Sequence, residues 1–217
     1  MEVASYKKYP KINTIWKRDE NTHKILTEQF SRKEFKALDL WEISEKMDGT
    51  NIRVFFRPHE NKITFEGRHD DSDIPRYILE ELHKIFNTQS LLKCFDKGEE
   101  IVLYGEGYDN RIGNILYNID TGFMLFDVLV DDWWLERDNV HDVAVKLNIP
   151  HVPSFGLMTT YDAISFVKDG MAKGYVKSHI NGRSDVIPEG IVARSVPLML
   201  FRDHTPVMWK LKVRDYE

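Results

Sequence analysis

The longest apolar runs in this sequence are only as long as a β-strand. Phe123 to Val130 is one of them, and Asp127 interrupts it. A membrane-crossing helix needs about 20 consecutive apolar residues, so no such run spans a bilayer. Several runs alternate apolar and polar residues with a period of two, which marks strands with one face buried. Trp41-Glu42-Ile43-Ser44-Glu45 alternates in this way and delivers Lys46 at its end. Asn51 to Phe56 follows after Gly49, and Lys62 to Glu66 returns across Pro58-His59-Glu60-Asn61. Glu100 to Glu106, Gly122 to Val130, Glu189 to Arg194 and Val207 to Val213 read as further strands. Three stretches keep helical spacing instead. Ile74 to Phe86 has Asp73 as candidate cap and Pro75 in the first turn, and the other two run over about 139–147 and 162–168. Strands outnumber helices and short turns join several of them. The pattern predicts an α+β fold of antiparallel β-sheets flanked by helices.

At 217 residues, 42% hydrophobic and 30% charged, the chain is globular in composition. With no repeat, low-complexity tract or Pro/Gly/Ser linker in view, the expectation is a single domain over residues 1–217. The lone cysteine, Cys94, can form no internal bridge, and the start of the chain lacks the apolar segment of a signal peptide. Both features fit a reducing, intracellular (cytoplasmic) setting without a membrane. A net charge of −5 argues against binding nucleic acid through global charge, but leaves room for a local basic groove. Basic residues do cluster at Lys7, Lys8, Lys11, Lys17 and Arg18, and again at Arg202, Lys210, Lys212 and Arg214. The first cluster also suits a plain solvated face.

Charged residues recur at strand ends and inside apolar strands, where ions are seldom buried without a partner. Glu45-Lys46-Met47-Asp48-Gly49-Thr50-Asn51 puts one lysine, a carboxylate and a turn-forming glycine together. That set suits an amine nucleophile, and equally an ordinary strand-to-turn corner with a surface lysine. Glu106 lies between Gly105 and Gly107, Asp127 is the only charge in its run, and Glu189 opens another apolar strand. In Trp209-Lys210-Leu211-Lys212-Val213, period two sends both lysines to one face, where an anion would relieve their repulsion. Taken in order, the lysine turn, the strand-borne carboxylates and the closing Lys-x-Lys describe a phosphoryl-transfer pocket. The run from His69 to Asp73 lacks the glycine and distal glutamate of a calcium loop and reads as a solvated turn. The histidines show no zinc-like spacing, and Trp133 and Trp134 suit packing as well as base stacking.

These residues resemble the covalent nucleotidyltransferase superfamily of ATP-dependent ligases and capping enzymes, and most of all its RNA ligase 2 type. Glu45 to Asn51 is similar to motif I, Tyr104-Gly105-Glu106-Gly107 to motif III and Phe126-Asp127 to motif IIIa. Glu189-Gly190-Ile191-Val192 resembles motif IV and Lys210-Leu211-Lys212 motif V, while Tyr6 to Ile12 looks like that type's amino terminus. Asn51 stands where DNA ligases typically have arginine, and Arg68 fits the arginine that follows motif I. The resemblance implies the ATP-grasp-like nucleotidyltransferase fold of ligases. It also implies a role for each residue. Lys46 would carry AMP from ATP, Glu45 would meet adenine through its backbone, and Phe126 would stack on the base. Glu106 would bind the ribose, the metal shell or both. Asp48 and Glu189 would hold hydrated Mg²⁺ or Mn²⁺. Lys210 and Lys212 would clamp the α-phosphate, with Arg68 and Asn51 positioning the phosphate or the RNA end. The implied substrates are RNA ends bearing a 5′-phosphate and a 3′-hydroxyl. The chain stops five residues after Lys212, so no carboxy-terminal OB-fold or other accessory domain is expected, and a partner protein would supply RNA engagement. A DNA ligase, a capping-type enzyme, or a non-catalytic nucleotide- or RNA-binding module on a ligase scaffold stay open as alternatives. Residues 131–187 carry no assignable motif.

Overall fold

The computed structural model describes residues 7–69, 72–96, 99–115, 117, 119–180 and 185–217. In chain order the early strands are β1 (Asn13–Thr14), β2 (Trp16–Arg18), β3 (Ile25–Phe30), β4 (Trp41–Lys46), β5 (Thr50–Arg57) and β6 (Lys62–Glu66). They are followed by β7 (Ile101–Tyr108), β8 (Gly122–Val130), β9 (Trp133–Trp134), β10 (Ser154–Met158), β11 (Gly190–Ser195) and β12 (Met208–Lys212). The α-helices are α1 (Lys33–Ala37), α2 (Arg76–Ile85), α3 (Thr88–Cys94), α4 (Arg137–Leu147) and α5 (Thr160–Ser165). The chain divides into two compact units, one of residues 1–9 and 48–152, the other of residues 10–47 and 153–217. Among the described residues no helix is long and apolar enough to cross a membrane.

The first unit is built on the sheet β6-β5-β7-β8-β9, antiparallel throughout. Period two sorts its side chains. Ile52, Val54 and Phe56 turn to one face and join Leu103, Phe123 and Leu125 in a core covered by Ile78 and Leu82 of α2, Leu91 of α3 and Val140 and Ala144 of α4. Phe55, Val102, Tyr104 and Leu129 turn to the other face, where Tyr9, Phe126 and Trp134 pack on them. Pro58 to Glu60 form a 3₁₀ turn and Asn61 takes the left-handed conformation (φ 48°), which closes the β5–β6 connection at the expected place.

The second unit carries the sheet β1-β12-β11-β4-β10 and the ribbon β2-β3. Its pairings are antiparallel except at the edge, where β1 runs parallel to β12. Trp41, Ile43, Ile191, Ala193, Trp209 and Leu211 share one face and are fully buried against Phe35 of α1, Ala163 of α5 and the helical turns Phe166–Met171. The alternate residues Ser44, Lys46, Lys210 and Lys212 take the opposite face.

The helices depart from expectation at their ends. Asp73 does not cap α2: Pro75 occupies the N-cap position without any side-chain cap, and Ile78 N–H donates to the Pro75 carbonyl (2.9 Å). Proline pre-sets the backbone there, so the helix starts after it rather than at Ile74. The helix expected over 162–168 begins earlier, capped by Thr159 Oγ1 on Asp162 N–H, and passes into a π-helical turn through Gly170 to Met171. In the 69–73 run, Ser72 N–H returns to His69 O (2.9 Å) as a turn, while Asp70 and Asp71 lie outside the described residues, as does Tyr6 of the amino-terminal resemblance.

Candidate active site

Lys46 is the last residue of β4 and Thr50 the first of β5, so two strands flank the lysine turn as expected. Gly49 is required there by close approach. A β-carbon would lie 2.5 Å from Gly107 O and 2.8 Å from Glu106 Cγ.

In the second unit the register is the decisive feature. Gly190 on β11 pairs with Lys46 on β4 and with Lys212 on β12, and Val192 likewise links Ser44 to Lys210. The two lysines that flank Gly190 are therefore two strand spacings apart, about 10 Å at the backbone. Both reach the carboxylate of Glu189: Lys46 Nζ donates to Oε2 at 2.5 Å, and Lys212 Nζ pairs with Oε1. All three side chains are largely buried, at 21%, 15% and 12% exposure for Lys46, Lys212 and Glu189. Gly190 is the residue that lets β11 come this close. A β-carbon there would sit 2.1 Å from Leu211 O and 2.7 Å from Lys212 Cα.

Glu45 takes the face opposite Lys46, because neighbours in a strand point to opposite sides. Glu45 is 1% exposed, and its carboxylate accepts from Ser178 Oγ (2.5 Å) and from His179 N–H (2.8 Å). Its own N–H donates to Pro153 O (2.9 Å). Burial raises the Glu45 pKa above its ordinary value, and the Ser178 and His179 hydrogen bonds only partly offset that. Sequence reasoning missed Ser178 and His179. They come from the stretch without an assignable motif, more than 130 residues away along the chain, and only tertiary folding brings them to Glu45.

The first unit holds the other candidates. Asn51 on β5 pairs with Glu106 on β7, and Glu106 with Met124 on β8. Asn51 Oδ1 is buried and, among the described residues, has no donor. Between β7 and β8 the register slips: Tyr104 faces Asp127 and Gly105 faces Leu125, which leaves Phe126 as the extra residue of a β-bulge. Half-buried Phe126 contacts the Tyr9 ring (centroids 4.8 Å, edge-on), and its carbonyl accepts from Arg137 Nη1 (2.5 Å). Asp127 points inward and accepts from Tyr9 Oη (2.5 Å), so the lone charge of that run has its donor. Asp48 Oδ2 accepts from Asn114 N–H (2.6 Å), and Asp48 N–H donates to Tyr117 Oη (3.0 Å). Arg68 is exposed beyond the end of β6. Beneath it lies a residue that sequence reasoning passed over. Arg53 is fully buried, donates from Nε to Gly67 O (2.8 Å) and pairs with Glu66 (3.1 Å), tying down the chain that leads into Arg68. Its signal was visible as an arginine within the apolar run Ile52-Arg53-Val54.

The candidates thus divide into Glu45, Lys46, Glu189, Lys210 and Lys212 in one unit and Asp48, Asn51, Arg68, Glu106 and Phe126 in the other. Among the described residues no three His, Cys, Asp or Glu side chains gather closely enough to hold a metal ion alone.

The sequence profile of the RNA ligase family matches residues 39–212, from the strand that carries Lys46 to the one that carries Lys212. The chain belongs to the RNA ligase family. No curated protein matches it in sequence. Among solved structures it is similar to the Naegleria gruberi RNA ligase with pyrophosphate, at 20% identity and a TM-score of 0.60, over 82% of this chain and 50% of that one. An archaeal ATP-dependent RNA ligase aligns at 12% identity and a TM-score of 0.63, over 96% of this chain and 49% of that one. A lysine-to-alanine mutant of the Naegleria ligase, with ATP and manganese, aligns at 17% identity and a TM-score of 0.59, over 82% of this chain and 51% of that one. At these identities the likeness establishes the α+β nucleotidyltransferase fold of RNA ligases. The chain spans about half the length of the structures it matches.

Proposed function

We propose that this chain is the nucleotidyltransferase domain of an ATP-dependent RNA ligase, with Lys46 as the site of covalent AMP attachment. The observation that carries the reading is the Lys46–Gly190–Lys212 register, which gathers a lysine turn, a strand-entry glutamate and a Lys-x-Lys strand from three distant stretches. Deprotonated Lys46 Nζ attacks the α-phosphorus of ATP. An N–P bond forms, the bond to the bridging oxygen breaks, and pyrophosphate leaves. Lys212 and Lys210 share the face of Lys46 and stabilise the charge that develops on the phosphate oxygens. Before attack, Lys46 Nζ must give up a proton to free its lone pair, since a protonated amine is not a nucleophile. AMP then passes to an RNA 5′-phosphate, and a 3′-hydroxyl displaces it to close the phosphodiester.

Asp48, Glu106 and Glu189 are oxygen donors of the kind that suits Mg²⁺ or Mn²⁺, and such ions commonly use one or two carboxylates with phosphate and water completing the shell. When bound, the ion would neutralise polyphosphate charge. The roles of Asn51, Arg68, Glu106 and Phe126 toward nucleotide or RNA rest on the motif resemblance. The buried, donorless Asn51 Oδ1 supports a polar ligand group beside it, and the bulge at Phe126 supports a re-aimed ring.

Incubation with α-labelled ATP and Mg²⁺ is the test. Label that survives denaturation and alkali but is released by acid, as a phosphoramidate requires, is expected on the wild-type chain and absent from Lys46→Ala, with ATP preferred over GTP. Equal label on Lys46→Ala, or reversible ATP binding with no adduct, overturns the reading, and a GTP preference points to a capping-type enzyme.

A further inference from the structure

A cavity of about 660 Å³ in the second unit is lined by six cations, Lys11, Lys17, Arg18, Lys210, Lys212 and Arg214, and by no acidic residue. They come from both ends of the chain, although its net charge is −5. Like charges gathered in one cavity repel, and an anion would relieve that repulsion. Among the described residues Arg18 and Lys212 have carboxylate partners of their own. Arg18 Nη2 donates to Asp215 Oδ1 (2.6 Å), while Nη1 reaches His23 O (2.9 Å), so its guanidinium is held in place, and Lys212 pairs with Glu189. Among the described residues Lys11, Lys17 and Arg214 have no carboxylate partner. Asn13, Thr14 and Ser31 add amide and hydroxyl groups to the same wall. Such a mixture of cations and small polar groups is what contacts nucleic-acid phosphates.

The cavity also has a direction. Thr14 of β1 pairs with Lys210 of β12, so the sheet order runs from Lys46 on β4 through β11 to the Lys210/Lys212 strand and on to β1 at the edge. The lysine face of the sheet therefore continues, through Lys210 and Lys212, into the wall of the cavity.

We infer that this cavity binds the phosphate backbone of the RNA strand, with Lys11, Lys17 and Arg214 as its sequence-independent contacts. The inference rests on the RNA ligase reading for the identity of the polyanion. Three stretches of cations separated by hydroxyl and amide groups suit consecutive phosphates, whereas the leaving pyrophosphate of ATP would engage only the end at Lys210 and Lys212.

The test is binding of a single-stranded 5′-phosphorylated RNA, followed by fluorescence anisotropy without ATP over a range of salt concentrations. The triple variant Lys11→Ala/Lys17→Ala/Arg214→Ala is compared with the charge-matched control Lys33→Ala/Lys36→Ala/Lys168→Ala on exposed positions of the same unit. The cavity variant should bind at least about tenfold more weakly at 0.1 M salt, with a log–log salt slope shallower by about 2, or about 0.7 per lost phosphate contact. The control should bind like wild type, and self-adenylylation with saturating ATP should be the same in all three. Equal losses in cavity variant and control reduce the effect to net charge and overturn the inference. A raised KM for ATP with unchanged RNA binding assigns the cavity to the triphosphate and overturns it too. Loss of RNA binding in a chain that never accepts AMP leaves the inference standing while the adenylylation reading fails, so the two are separable.

Discussion

Lys46 and Lys212 stand on strands that do not touch, β4 and β12, yet both reach the carboxylate of Glu189. β11 lies between them, with Gly190 opposite each, so the shared glutamate enters from the strand that separates the lysines. Without ligand, one carboxylate thus balances two ammonium groups in a largely buried setting.

Glu189→Gln keeps the shape and removes the charge. Two partly desolvated ammonium groups then lose their counter-ion, and the unliganded protein should lose about 1–3 kcal/mol of stability. Chemical denaturation checks this, and an unchanged midpoint would show that the pair of ion pairs contributes nothing net. Adenylylation should fall as well, because the residue is proposed to serve the metal-bound nucleotide.

Gly190→Ala places a methyl carbon 2.1 Å from Leu211 O, an atom of the backbone that cannot rotate away. Strands β11 and β12 must separate, which should cost about 3 kcal/mol or more, or prevent folding. Gly156→Ala is the comparison. Gly156 also has positive φ (+85°), but a β-carbon there meets nothing within 4 Å, so backbone strain alone applies, about 1–2 kcal/mol. Similar melting temperatures for the two variants would contradict the steric account.

Glu45 predicts a pH dependence with a definite sign. Burial holds its pKa above the ordinary 4.5, so the folded protein takes up this proton more readily than the unfolded chain. Its contribution to stability is complete below the unfolded pKa and is lost as pH rises through the raised folded value. Glu45→Gln cannot titrate and should flatten that part of the Tm–pH curve from about pH 4 upward. Parallel curves for wild type and Glu45→Gln would rule out this titration as a contributor.

Much of the architecture was legible before any coordinates. The alternation of Trp41, Ile43 and Glu45 against Ser44 and Lys46, and of Trp209 and Leu211 against Lys210 and Lys212, directly states which side chains share a face. Gly49 and the strands on either side of it were readable for the same reason. The edge strands β1 and β9 were not, since two residues carry no periodicity to stand out. The start of α2 was misplaced by assigning Asp73 a cap that proline makes unnecessary.

Local chemistry, written residue by residue, is enough to nominate Lys46, Glu189 and the Lys210/Lys212 strand, because side-chain periodicity in a strand is a property of the chain itself. Pairing is not. That Gly190 stands opposite both lysines, that Ser178 and His179 hold Glu45 from more than 130 residues away, and that the slip beside Gly105 sets Phe126 in a bulge are matters of register and long-range contact. Hydrogen bonds between strands connect residues without regard to their separation in sequence, so only the folded sheet could decide which charges meet.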